Sequence, residues 1–118
     1  MNSVQKLNRN NGNFRVRVKQ DEVGWRIMSA ELVYVHAEQT DTDFLIYTGN
    51  FCGYCTALKR LLNGNKLSYT EYNFDEHAGL RKQVVAATGH RTVPVVFDLR
   101  EDVPRFIGGF DETNRYLR

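Results

Sequence analysis

Hydrophobic and polar positions divide the chain into two stretches of unequal clarity. In the first, Phe14, Val16 and Val18 alternate with Arg15, Arg17 and Lys19, the period of a half-buried strand, and Leu32 to Val35 is a second β-prone run. Residues 14–36 therefore predict a β-rich extension, preceded by a polar, Asn-rich segment without hydrophobic period and expected to be flexible. The second stretch starts at Asp43. Phe44-Leu45-Ile46-Tyr47 reads as a buried strand that ends in the turn-prone Thr48-Gly49-Asn50, and Cys55, Leu58, Leu61 and Leu62 then recur at helical spacing up to Gly64. Ser68 to Phe74 is a further strand, and Leu80, Val84, Val85 and Thr88 mark the apolar side of a helix closed by Gly89. Val93 to Phe97 and Arg105 to Ile107 form a hairpin around the charged turn Asp98 to Val103, and a short helix runs from Asp111 to the end.

The order βαβ then ββα predicts an α/β fold, a four-stranded mixed sheet flanked by helices. Its parallel pair needs a helical crossover, and the hairpin is necessarily antiparallel. Residues 1–41 are read as an N-terminal extension and 42–118 as the domain. A chain of 118 residues, 42% hydrophobic and 25% charged, has room for one ordinary globular domain.

The net charge of +2 is too small to argue for nucleic-acid or membrane binding. Lys6, Arg9, Arg15, Arg17 and Lys19 stand among residues 1–20 without an acid, which reads as a solvated basic arm. No apolar run approaches the ~18 residues of a membrane span, and the N-terminus has no apolar signal core, so a cytoplasmic protein is expected.

Only two cysteines are present, three positions apart in Cys52-Gly53-Tyr54-Cys55. A bridge between them closes too small a loop to constrain the unfolded chain, so their use is chemical rather than structural. At a strand-loop-helix junction Cys52 meets the unpaired N–H groups and positive dipole end of the helix, which can bring a thiol pKa into the ~3.5–7.5 range. Cys55, one turn further in, is placed to resolve a mixed disulfide. Half of a zinc site is the competing reading, but the remaining His36, His77 and His90 lack recognisable ligand spacing.

Two further elements carry chemistry. In Arg91-Thr92-Val93-Pro94 a cis bond would turn the Val93 backbone toward the cysteine loop for pairing with an extended thiol peptide, but the local sequence by itself favours an ordinary trans proline opening an edge strand, because cis bonds are rare. In Gly108-Gly109-Phe110-Asp111 the glycines permit close ligand approach and Asp111 could hold an ammonium; an Asp N-cap after a turn is the alternative.

With these three elements in this order, residues 42–118 resemble a glutaredoxin of the thioredoxin fold. The ending Ile107-Gly108-Gly109-Phe110-Asp111-Glu112-Thr113 is similar to that of the compact glutaredoxins of T4-type bacteriophages. The resemblance implies a thiol–disulfide oxidoreductase with Cys52 as nucleophile, Cys55 as resolving thiol and Pro94 as cis proline. It also implies a glutathione groove lined by Tyr54, Arg91, Thr92, Val93, Gly109, Phe110 and Asp111. Glutathione, protein disulfides and ribonucleotide reductase are the implied partners of a monomeric protein. Many members carry Lys three residues before the first Cys; Gly49 stands there, which leaves Arg91 or Lys59 to meet a glutathione carboxylate. Gly53 replaces a common Pro, and Gly after the first Cys also resembles members that share an iron–sulfur cluster between two chains and two glutathiones. A binding module that keeps the fold without the activity is the third reading.

Overall fold

The structure, a computed structural model, describes residues 31–118. Phe44–Thr48 (β1) is buried along its whole length, because its two faces meet separate halves of the core. Phe44 and Ile46 point to one side, with Leu58, Leu62 and Val96; Leu45 and Tyr47 point to the other, with Phe74, Val84, Val95 and Phe97. The strand period of two thus places β1 at the centre of three layers.

The chain continues through α2 (Gly53–Gly64), β2 (Tyr69–Asn73), a 3₁₀ turn (Phe74–Glu76), α3 (Leu80–Thr88), β3 (Val95–Asp98), β4 (Arg105–Gly108) and α4 (Phe110–Tyr116). The sheet order is β2-β1-β3-β4. β1 and β2 run parallel across the α2 crossover, whereas β3 is antiparallel to β1 and to β4. This is the mixed four-stranded sheet expected from the element order. Because Tyr47 pairs with Val95, the loop leaving β1 and the segment entering β3 emerge side by side at one edge of the molecule. That edge is where Cys52 and Pro94 meet.

The expected strand at Leu32 to Val35 is a helix instead: residues 31–38 (α1) are helical. Alternation would place Val33 and Val35 on one face, but Val33 is buried and Val35 is 41% exposed. Val33 and Ala37, four residues apart, are the pair that reaches the core, with Leu32 packed beside them. Tertiary burial overrides the β propensity of this run, and the packed unit therefore includes residues N-terminal to 42. The rest of the expected β-rich extension lies outside the described residues.

His36 fixes α1 to the sheet through its ring. It stacks on Tyr72 with centroids 4.0 Å apart, and its Nδ1 lies 2.8 Å from the Tyr47 hydroxyl. Desolvation by burial, and secondarily the nearby His77, lower its pKa below the ordinary 6.5. A base kept neutral in the fold contributes stability that is complete above that ordinary value and is lost as pH falls through the depressed one. Urea unfolding midpoints should accordingly fall between about pH 7.5 and about pH 5.5, with a flatter dependence in His36→Gln. An unchanged pH dependence in the variant would remove His36 from this role.

Candidate active site

The loop after β1 is held before it reaches the cysteines. Asn50 donates its backbone N–H to Asp75 Oδ2 at 2.7 Å, and the Asn73 amide donates to Asn50 Oδ1 at 3.0 Å. Phe51 follows at φ 53°, a left-handed backbone that costs a non-glycine residue roughly 1–2 kcal/mol. This turn delivers Cys52 as the N-cap of α2, in extended conformation.

At an N-cap, a side-chain acceptor takes one of the four N–H groups that the helix cannot pair. Here the acceptor is sulfur: the Cys55 N–H donates to Cys52 Sγ at 3.1 Å. The two sulfurs are bonded to each other, with Cα atoms 5.2 Å apart. Cys52 is half-buried and Cys55 is 3% exposed, so an incoming reagent meets Cys52. The first turn of α2 contains no acid to oppose a developing thiolate.

Pro94 is buried and the Val93-Pro94 bond is cis. The Val93 carbonyl lies 3.9 Å from Cys52 Sγ. β3 joins the ladder only at Val95, so the Val93 peptide stands outside it, next to the sulfur. Beside this point runs a shallow groove of about 220 Å³, with Thr92, Val93 and Pro94 on one wall and Gly109, Phe110 and Asp111 on the other. Tyr54 also lines it, its ring 6.0 Å from that of Phe110.

The glutaredoxin family model matches residues 44–101 of this sequence, bringing the cysteine pair and the cis proline under one description. Over that region the chain resembles a glutaredoxin. Escherichia coli glutaredoxin 3 is 36% identical over 52 residues, 44% of this chain and 63% of that protein. A Mycobacterium tuberculosis relative bearing the glutaredoxin name is 38% identical over 52 residues, 43% of this chain and 62% of its own length. The chain thus spans somewhat under two thirds of the curated relatives it matches. Among solved structures, the holo form of glutaredoxin C1 from Populus tremula x tremuloides is 27% identical with a TM-score of 0.61, covering 79% of this chain and 85% of that one. A buckwheat glutaredoxin–glutathione complex, at 22% identity and a TM-score of 0.64, covers 80% of this chain and 83% of its own and shares the fold.

The domain gathers most of the residues singled out in the sequence and leaves two aside. Tyr54, Thr92, Val93, Pro94, Gly109, Phe110 and Asp111 line the groove. Arg91 is exposed and does not line it, although its carbonyl accepts from Arg81 Nη1 at 3.4 Å. Lys59 is held elsewhere, its Nζ 2.8 Å from Glu71 Oε2, an oxygen that also accepts the Thr48 hydroxyl. The cation nearest the missing lysine is Arg81 instead: a side chain at Gly49 would begin 3.9 Å from Arg81 Nη2.

Three contributors were not foreseen. Arg81 comes from another helix, and its proximity to Gly49 follows only from tertiary packing. His90 lines the groove with its Nε2 3.3 Å from the Thr92 hydroxyl. Glu112 accepts the Gly109 N–H at 2.8 Å, and that hydrogen bond holds its carboxyl below the usual range. An acid three residues after Gly109 at a helix start is a recognisable capping signal, and it shows why Asp111 is not the cap: Gly109 is.

Gly108 has φ 127°, and a Cβ there would come within 3.0 Å of Glu112 Cγ. Gly108→Ala should therefore destabilise the domain by about 1–3 kcal/mol. Gly64→Ala, at the end of α2 in open space, should be neutral or mildly stabilising. Thermal unfolding of both variants checks the contrast.

Proposed function

We propose that this protein is a glutathione-dependent thiol–disulfide oxidoreductase in which Cys52 attacks and Cys55 resolves. The observation that carries the reading is the half-buried sulfur of Cys52 at a helix start, accepting a backbone N–H and bonded to a buried partner one turn behind. In the reduced state the same N–H and the helix dipole favour the thiolate over the thiol.

The electron accounting follows from the pair. The Cys52 thiolate attacks one sulfur of a substrate disulfide; the S–S bond breaks and the leaving thiolate takes a proton from solvent. The Cys55 thiolate then attacks the Cys52 sulfur, expels the second substrate thiolate and leaves the Cys52–Cys55 disulfide. Two electrons have passed to the substrate. Two glutathione thiols restore the dithiol, the first forming a mixed disulfide on Cys52 and the second departing with it as glutathione disulfide.

The groove suits an extended tripeptide. The Val93 peptide outside the β ladder offers hydrogen bonds to the cysteinyl residue of glutathione beside Cys52. Asp111, exposed and lining the groove, matches the γ-glutamyl ammonium, and Arg81, beside Gly49, is the cation within reach of a carboxylate on the cysteine-loop side. Action as a monomer in the cytoplasm, where a thiol pool keeps the pair reduced, completes the reading.

Cys52→Ser should lower turnover of glutathione mixed disulfides by at least about a hundredfold. Cys55→Ser should retain that reaction and lose turnover of intramolecular protein disulfides, which need resolution. Steady-state assays with glutathione as reductant give both numbers, and full activity of Cys52→Ser would refute the assignment.

A further inference from the structure

The residue before the nucleophile is the most exposed large apolar side chain described. Phe51 has 105% of its reference surface accessible, as open as in an extended peptide, whereas the Tyr54 and Phe110 rings pair with each other at 6.0 Å. Burying nothing, it gains no hydrophobic stabilisation from the fold. Its backbone sits at φ 53°, where glycine is easily accommodated and a bulky aromatic residue is uncommon. Within the domain, then, Phe51 brings local strain without any packing return.

The segment that presents it is nonetheless firmly placed. Asn50 on one side is tied to Asp75 and Asn73, and Cys52 on the other is fixed as the N-cap and by its bond to Cys55. A rigidly presented aromatic ring loses little freedom on binding, which is how such residues act as anchors in interfaces. The rim Gly49-Asn50-Phe51-Cys52-Gly53-Tyr54 carries no charged side chain of its own; the nearby Asp75 and Arg81 lie at its Gly49 end.

We propose that Phe51 is a substrate-selecting contact: it receives a bulky apolar side chain adjacent to the attacked cysteine of a polypeptide disulfide. Building on the disulfide-exchange reading above, it separates polypeptide substrates, which reach past the sulfur to Phe51, from small disulfides that do not. The exchange itself is unchanged: the Cys52 thiolate forms the mixed disulfide, one peptide sulfur leaves as thiolate, and Cys55 releases the other.

The test is single-turnover oxidation of the reduced full chain, read by counting remaining thiols after acid quench. Two probes are used: a synthetic peptide with an intramolecular disulfide and Leu beside the attacked Cys, and 2-hydroxyethyl disulfide. Phe51→Ala should slow the peptide reaction about tenfold, the scale of one lost aromatic contact, and leave the small disulfide within about twofold. Phe51→Trp should restore the peptide rate. Equal slowing of both probes would mean that Phe51 only positions Cys52, and no slowing of either would mean that it contacts no substrate; each overturns the proposal. Sedimentation of wild type and Phe51→Ala at the assay concentration adds a further check, because loss of a dimer in the variant would make a second copy of the chain the occupant. Failure of the wild type to react with either probe would instead contradict the oxidoreductase reading.

Discussion

A sulfur atom occupies the place at the start of α2 that a hydroxyl or carboxylate oxygen commonly fills. The Cys55 N–H bonds to Cys52 Sγ, so one contact caps the helix and orients the Cys52 sulfur. Several features depend on that geometry. The sulfur faces solvent because the loop before it is anchored to Asp75 and Asn73. Its partner is buried because the helix carries Cys55 one turn inward, toward the layer of Leu58 and Leu62. An accessible sulfur at Cys52 and a buried one at Cys55, as the proposed exchange requires, are thus consequences of one helix entrance.

The sheet supplies the other half of the site. Antiparallel pairing of β1 with β3 sets Tyr47 opposite Val95, and the two connecting segments leave the sheet at the same edge. Pro94 is buried there, and the Val93 carbonyl lies 3.9 Å from Cys52 Sγ. Gly108 and Gly109 bring α4 close enough to form the second wall, with Glu112 binding the Gly109 N–H. A hydrophobic core of two halves therefore brings the Val93-Pro94 segment beside the Cys52 sulfur and the Gly109–Asp111 segment beside Val93-Pro94.

Much of this was readable in the residues. Buried β1, the amphipathic α2 and α3 and the antiparallel hairpin followed from period and turn chemistry, because these elements are consistent locally and globally. Leu32 to Val35 misled because four β-prone residues form a helix when Val33 and Ala37 find the core, a choice made by packing rather than propensity. At the site, the cysteine pair and both groove walls were visible as motifs. Arg81 near Gly49 and His90 on the groove were not, since their positions depend on how α3 and its following loop pack. Lys59 shows the converse: a cation close to the motif in sequence is committed to Glu71 in space.

Charge at the Cys52 sulfur is the quantity to measure. The rate of alkylation of the reduced chain by iodoacetamide, followed against pH in Cys55→Ser so that only one thiol reacts, reports the ionisation of Cys52 directly. A midpoint well below the ~8.5 of a free thiol is the predicted result. A midpoint at or above that value would show that the helix entrance does not stabilise the anion, and the account built on it would fail.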